Sequence, residues 1–470
     1  MSKIEPVKFG TDGWRAVIAE NYTFANVCRV SLATAKVFKS HPKIKNGIFI
    51  GYDTRFLSKE FAHAAAEMFC SQGIKTYLAS SFVTTPTVSL ITRDKNLAFG
   101  VMITASHNPF QYNGFKLKDE FGGSMNPTEI VKIEDELKNI NLVHPDFSSE
   151  KFLNDGVLEY FDGMDYYIKY LGSKIDFDVI KKAGLNIAYD AMYGAGQNII
   201  KEFIPVTQLH GEINPSFGKN PPEPVAKNLS EICNLIKNGK FNLGIVTDGD
   251  ADRIAIIDEN GDFLDAQKTF VLLLKYLSGT LGLKGKVVRG FSGTDLLKKY
   301  CDKYGLELIT VPIGFKHISK IMIEDDVLIG AEESGGIGIK GHLPERDGIY
   351  NGCLYAEMLA KTGKSISELK KELDDEFGAY YYNRIDVHTT NELKNATLEK
   401  CKTFKVGDEI AGKKIVSIDP MDGTKFSFDN GWITVRASGT ESLLRFYCET
   451  SGTDETLEIL NKAISNFNLK

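Results

Sequence analysis

Apolar residues along the chain fall into two rhythms, one helical and one strand-like. Helical stripes include Phe61, Ala65, Met68 and Phe69 after a candidate cap at Ser58, with Gly73 just past the end. Asn126 followed by Pro127 reads as a cap and first-turn proline ahead of Ile130, Ile133 and Leu137. Leu229, Ile232, Leu235 and Ile236 form a stripe closed by Gly239, and Ser365 opens one through Ile366, Leu369, Leu373 and Phe377. Leu457, Leu460, Ile464 and Phe467 predict a last helix. Core packing is the plain expectation for each stripe.

Between the helices lie short continuous apolar runs, the pattern of strands buried on both faces. One series ends at Asp53, Asp190 and Ser292, and a second at Ser106, Asp248 and Glu332. Members of the two series alternate. That order predicts one α/β unit used three times, each strand ending in a loop rich in functional groups, where parallel sheets gather ligands. After about residue 375 the pattern changes. Residues 380–387, 414–418 and 432–435 predict antiparallel strands, so a smaller α+β domain should close the chain. Five of the 14 prolines lie between Pro205 and Pro224, suggesting an extended, ordered crossing.

At 470 residues the chain has room for about three domains, or four. A net charge of −6 argues against a general nucleic-acid coat or a basic membrane-surface protein. No apolar run approaches membrane-span length, and the polar opening does not resemble a secretory signal. Seven scattered cysteines without a CxxC suggest a reduced, cytoplasmic protein.

Five loops carry candidate chemistry. In TDGDADR (247–253), Asp248, Asp250 and Asp252 alternate, so a locally extended chain would aim all three carboxylates one way. At an effective dielectric of 20, two such charges about 4 Å apart cost about 4 kcal/mol, so the cluster calls for a cation or raised pKa values. Oxygen ligands favour Mg²⁺, Mn²⁺ or Ca²⁺ over zinc. An EF-hand is disfavoured, because Arg253 stands where that loop needs glycine and the flanks read as strands.

TASHNP (104–109) offers Ser106 as a nucleophile with His107 beside it. Adjacent residues on an extended chain point apart, which argues against a protease-like couple; a simple turn is the alternative. Lys116 follows as a cation. GAEESGGIG (330–338) presents Glu332 and Ser334, groups suited to sugar hydroxyls, or is a glycine-rich connector. Its GxGxxG match (336, 338, 341) opens no predicted helix, so a dinucleotide site is disfavoured. RASGTE (436–441), with Arg445, offers two guanidiniums, two hydroxyls and a glycine: a phosphate clamp, or an exposed turn. Arg15 stands in an early glycine-containing loop.

In this order, the five loops resemble the α-D-phosphohexomutase family, which includes phosphoglucomutases, phosphomannomutases and phosphoglucosamine mutases. The resemblance spans essentially the whole chain. It implies three related mixed α/β domains plus a C-terminal α+β, TATA-binding-protein-like domain around a central cleft. The corresponding segments are a phosphoserine domain (1–155), a metal-binding domain (156–260), a sugar-binding domain (261–375) and a phosphate-binding domain (376–470). It implies that Ser106 carries the phosphoryl group, and that Asp248, Asp250 and Asp252 hold one Mg²⁺ that also touches the phosphate on Ser106. Arg15 and Lys116 would flank that phosphate, with Lys116 or His107 a candidate proton carrier.

Glu332 and Ser334 would read the sugar, and Arg436, Ser438, Gly439, Thr440 and Arg445 would clamp the substrate phosphate. Lys316 and Arg346 match lesser contacts. Three aspartates, Mg²⁺ and a phosphoserine leave a charge of about −3, which Arg15, Lys116 and Arg253 could offset. The expected partners are hexose phosphates, with no nucleic acid and no membrane, and glucose 1,6-bisphosphate as activator. Glu-Glu-Ser at 332–334 resembles the glucose-type loop, so glucose is the expected sugar; mannose and glucosamine are the alternatives. Ala251 departs from the glycine that many members carry there.

Overall fold

The computed structural model describes residues 7–438 and 443–469. Among the described residues four large sheets follow one another along the chain, a two-stranded ribbon accompanies the last, and the first three repeat one motif. In each, a strand of the first series lies beside and parallel to one of the second: Ile48–Tyr52 with Gly100–Ile103, Ile187–Asp190 with Leu243–Thr247, and Lys286–Gly290 with Val327–Ala331. A further parallel strand flanks the first member: Thr76–Ala79, Thr207–Leu209 or Leu308–Val311. An antiparallel strand flanks the second: Tyr112–Lys118, Ile254–Ile257 or Ile337–Ile339. The central strands are nearly all buried, as continuous apolar runs require.

The last sheet is wholly antiparallel, ordered Tyr381–His388, Leu443–Thr450, Gly431–Ala437, Thr424–Phe428, Ser417–Asp419. One face buries Phe426, Ile433, Val435, Phe446 and Cys448 against the helices Asn391–Thr403 and Thr453–Asn466. The opposite face carries Tyr382, Arg384, Trp432, Thr434, Arg436, Arg445, Tyr447 and Glu449, by strand alternation. The fold is therefore α/β, with three related mixed units and a C-terminal α+β unit.

Several local expectations shift. Ser58 is the first helical residue, not the cap; Leu57 precedes it at φ 59°, and the Ser58 hydroxyl donates to Asp53 at 2.7 Å. The run 414–418 is split: Lys413–Lys414 pairs with Glu409–Ile410, and the chain then crosses to join the sheet as Ser417–Asp419. Leu457 is exposed on the last helix while Leu460 and Phe467 are buried. The helix Asn391–Thr403 and the strand Leu443–Thr450 were not predicted.

The second and third units share one core. The helix Gly348–Thr362 packs on the strand Leu243–Thr247, and a Cβ on Gly352 would stand 2.7 Å from Ile245 Cγ2. The proline-rich crossing is ordered and seats the Pro222 carbonyl on the Gly249 amide at 3.3 Å. No helix among the described residues is long and apolar enough to cross a membrane.

Candidate active site

The carboxyl end of Gly100–Ile103 delivers Ser106 to the junction of the first and second units, where it is buried. Its φ is 52°, in the left-handed region that non-glycine residues enter at a cost of about 1–2 kcal/mol. That torsion overturns the expectation drawn from an extended chain: His107 Nδ1 lies 3.2 Å from Ser106 Oγ. The hydroxyl also donates to Asp248 Oδ2 at 2.8 Å. Burial first, then Arg253, Arg15, Lys116 and Arg55, hold the His107 pKa well below its ordinary value, so the imidazole is neutral.

The conformation is held from beneath by a residue that sequence reasoning missed. Arg55 donates to the backbone carbonyls of Ser106, Asn108 (2.7 Å), Pro109 (3.0 Å) and Tyr112 (3.1 Å). Asp53 pairs with its Nε at 3.2 Å and accepts from Thr104 Oγ1 at 2.6 Å and from Ser58 Oγ. The signal was an Asp-Thr-Arg triplet directly after a buried first-series strand.

Asp248, Asp250 and Asp252 are fully buried, each offering an oxygen within 4.8 Å of the others. They converge through a tight turn, not an extended chain, with Ala251 at φ 58°. A Cβ on Gly249 would come within 2.5 Å of the Ser106 carbonyl, so glycine there lets the acidic turn meet the serine loop. Burial, then Asp250 and Asp252, push the Asp248 carboxyl well up. Burial opposes ionisation of Asp250 too, but Lys116 holds it well below the usual range. Asp250 Oδ1 and Asp252 Oδ1 are buried without a hydrogen-bond partner. Two orphaned anionic oxygens converging with a third carboxylate fit a hard divalent cation such as Mg²⁺.

Cations ring this cluster. Lys116 lies on the strand Tyr112–Lys118, not in a loop, with Nζ 2.8 Å from Asp250, 3.1 Å from Asp252 and 2.8 Å from Asp12. Burial alone would lower its pKa, but these three carboxylates outweigh it and raise it, so the ammonium stays charged. Arg346 Nη2 reaches Asp252 at 2.7 Å and Asp12 at 2.8 Å, and its Nη1 lies 3.3 Å from Glu332. Gly336 leaves room for it: a Cβ there would stand 2.3 Å from Arg346 Cδ. Arg15 donates to Asn108 Oδ1 at 2.8 Å and lies 3.6 Å from Asp12. Arg253 lies 3.9 Å from Glu223, with Nε buried and unpartnered. Asp12, also missed, thus joins the first and third units through Lys116 and Arg346, both of which also reach Asp252 of the second; it lay within a loop already marked for Arg15. Lys118 pairs with Glu345 in a second buried contact between the first and third units.

Glu332 has its pKa lifted to about 7 by burial, with Arg346 opposing. Ser334 shares its loop and is half-buried, as is Lys316 on the first turn of Phe315–Glu324. Arg436 and Arg445 stand opposite each other on neighbouring strands of the last sheet. Arg436 Nε pairs with Asp422 at 2.8 Å, and Arg445 lies 3.8 Å from Asp386, which also holds Arg384 at 2.9 Å. Ser438 is buried at the end of that strand; Gly439 and Thr440 lie outside the described residues.

A buried serine beside an acidic cluster, with an arginine-bearing sheet in a separate unit, is a layout for moving a phosphoryl group. Residues 6–144, 165–261 and 265–377 match the phosphoglucomutase/phosphomannomutase α/β/α domains I, II and III, and residues 393–466 match the C-terminal domain. The chain belongs to the phosphoglucomutase/phosphomannomutase family, the α-D-phosphohexomutases. A phosphoglucomutase/phosphomannomutase of Thermococcus kodakarensis is 30% identical over 97% of both chains. A phosphoglucosamine mutase of Methanococcus maripaludis is 31% identical, also over 97% of both. A crystal structure from Thermus thermophilus, assigned as a phosphomannomutase, superposes with a TM-score of 0.87 at 31% identity, covering 99% of each chain. As a phosphohexomutase, this protein is an isomerase of the intramolecular phosphotransferase type.

Proposed function

We propose that the protein interconverts hexose 1-phosphates and hexose 6-phosphates through a phosphoserine at Ser106 and a hexose 1,6-bisphosphate intermediate. The observation that carries this reading is Ser106 Oγ, 2.8 Å from Asp248, whose carboxylate clusters with Asp250 and Asp252, each of which has an orphaned oxygen. Asp248, Asp250 and Asp252 would hold one Mg²⁺, which neutralises charge on the phosphoserine when bound. Arg55 and Asp53 keep the serine loop in its left-handed conformation. Lys116 stays protonated among its three carboxylates, so it supplies positive charge where phosphoryl oxygens would gather. Neutral His107 serves as a hydrogen-bond partner of Ser106.

In the reaction, the free hydroxyl of a bound hexose phosphate attacks the phosphorus on Ser106. The P–Oγ bond breaks, and the hydroxyl proton passes by way of a neighbouring base to the departing Ser106 Oγ. The bisphosphate turns around and returns its other phosphate to Ser106 Oγ, regenerating the starting enzyme. Glu332 and Ser334 would read the sugar; Arg253, Lys316 and Arg346 would line its path. Arg436, Ser438, Gly439, Thr440 and Arg445 would grip the phosphate that is not reacting. A hexose 1,6-bisphosphate would restore any enzyme that had lost its phosphoryl group. Seven unpaired cysteines suit a reducing compartment, and the reading places the enzyme in the cytoplasm.

For the sugar, most names of the relatives point to glucosamine or mannose over the glucose expected from the loop at 332–334, although the Thermococcus relative is named for both glucose and mannose. Initial rates with the 1-phosphates of glucose, mannose and glucosamine, with Mg²⁺ and a trace of the matching bisphosphate, test the reading. The highest kcat/KM should fall on glucosamine or mannose. Turnover that releases inorganic phosphate in step with substrate loss would instead mark a phosphatase.

A further inference from the structure

Asp422 lies in the turn between the strands Ser417–Asp419 and Thr424–Phe428 of the last sheet. Each of its carboxylate oxygens has a separate duty. Oδ1 accepts from Arg436 Nε at 2.8 Å, and Oδ2 accepts from the Ile313 amide, in the third unit, at 2.8 Å. Ile313 and Gly314 lead directly into the helix Phe315–Glu324, whose second residue is Lys316. A Cβ on Gly314 would stand 2.8 Å from Thr11 Cγ2, so this loop is also pressed against the loop of Asp12 and Arg15. Next to Asp422, Gly423 sits at φ 86°, where a Cβ would lie 2.5 Å from the Val435 carbonyl. The turn is therefore seated against the strand that carries Arg436.

An acid bonded to a phosphate-gripping arginine repels the anion that the arginine must bind. A contribution to stability is an incomplete account, because the pair is largely buried, its side chains 16% and 20% exposed, and the desolvation of such a pair offsets much of its attraction. Orientation accounts for it better: holding Nε fixes the guanidinium plane and directs the terminal nitrogens, the edge suited to bidentate phosphate binding, away from Asp422. We propose that Asp422 is a positioning residue for substrate phosphate, setting the orientation of Arg436 and tying the clamp to the Lys316 loop through one carboxylate. This rests on Arg436 being part of the clamp.

The test compares Asp422→Ala, Asp422→Asn, Arg436→Ala and the double variant Asp422→Ala/Arg436→Ala, by steady-state kinetics with hexose 1-phosphate and by thermal melting. Losing bonds to a charged group predicts a KM roughly tenfold higher for Asp422→Ala, with kcat within about threefold and an unchanged melting temperature. Asp422→Asn retains one acceptor and should show a smaller rise; it also stands in should the alanine variant fail to fold. In the Arg436→Ala background, Asp422→Ala should add little, because its effect passes through that arginine. An unchanged or lowered KM in both Asp422 variants, with a raised KM in Arg436→Ala, overturns the role of Asp422 alone. An equal, additive rise in the double variant overturns it as well, marking a merely structural part. Unchanged KM in Arg436→Ala overturns the clamp reading itself.

Discussion

One torsion, φ 52° at Ser106, decides what the hydroxyl reaches: Asp248 on one side and His107 on the other. Nothing in the order Ser-His-Asn-Pro announces that torsion, so sequence reasoning found the serine and misjudged its relation to His107. The torsion is stabilised by the Arg55 fan, whose five donors in a planar fork no lysine reproduces. Arg55→Lys should therefore lower kcat by at least about tenfold and lower the melting temperature, since one ammonium cannot hold Asp53 and four backbone carbonyls together. A variant with wild-type kcat would show that the loop holds itself. Asp250→Asn removes one of three anionic ligands; activity should fall sharply and recover in part with excess Mg²⁺. Activity of the wild type that survives EDTA would show that the acidic cluster has another purpose.

Among the elements, the acidic turn and the serine loop are the pair whose contact matters most, and Gly249 sets how closely they approach. Gly249→Ala places a methyl 2.5 Å from the Ser106 carbonyl. Activity and apparent Mg²⁺ affinity should fall together, while secondary structure by circular dichroism stays intact; retained activity would mean that the loops tolerate separation. The clamp strand is the other such element. Arg436→Ala should raise KM about ten- to a hundredfold in both reaction directions, the loss of a charge-assisted bidentate contact. The aspartate spacing revealed the cluster itself, but its convergence comes from the turn at Ala251, a backbone state that alternation does not encode. The strand Leu443–Thr450 escaped notice because Arg445 and Glu449, on the face turned away from the helices, interrupt the apolar run. The helix Asn391–Thr403 offers too few apolar residues to form a stripe.

Across the whole molecule, the alternation of two strand series revealed the threefold unit, because a central parallel strand must be apolar throughout. The shared core of the second and third units was hidden, since hydrophobic periodicity shows which face is buried but not against what. The polar face of the last sheet was equally hidden, and there the third and fourth units meet around a buried acid. Glu449 accepts from the Asp295 amide at 2.8 Å and from Trp432 Nε1 at 3.2 Å, while Lys425 sits over the Trp432 ring. Burial raises the Glu449 pKa to about 7 from the usual 4.5, and burial lowers that of Lys425 to about 8.

Between pH 4.5 and 7 the folded state keeps a proton on Glu449 that the unfolded chain releases. The group's contribution is therefore complete below about 4.5 and is lost as pH rises through about 7. Glu449→Gln, which cannot ionise, should melt close to wild type at pH 5 and above it at pH 7.5, by at most about 3 kcal/mol. A constant difference across that range would mean that Glu449 does not titrate there.

The mechanism requires that the phosphoryl group on Ser106 be the one that moves. Intact-mass analysis of enzyme loaded with hexose 1,6-bisphosphate should show one added phosphoryl group, absent in Ser106→Ala. When Ser106 carries an isotopically labelled phosphoryl group, turnover of unlabelled hexose 1-phosphate should carry the label into the hexose 6-phosphate product and leave unlabelled phosphate on Ser106, and Ser106→Ala should not turn over. Label that stays on Ser106 while substrate is converted, or full activity in Ser106→Ala, would contradict transfer from that serine.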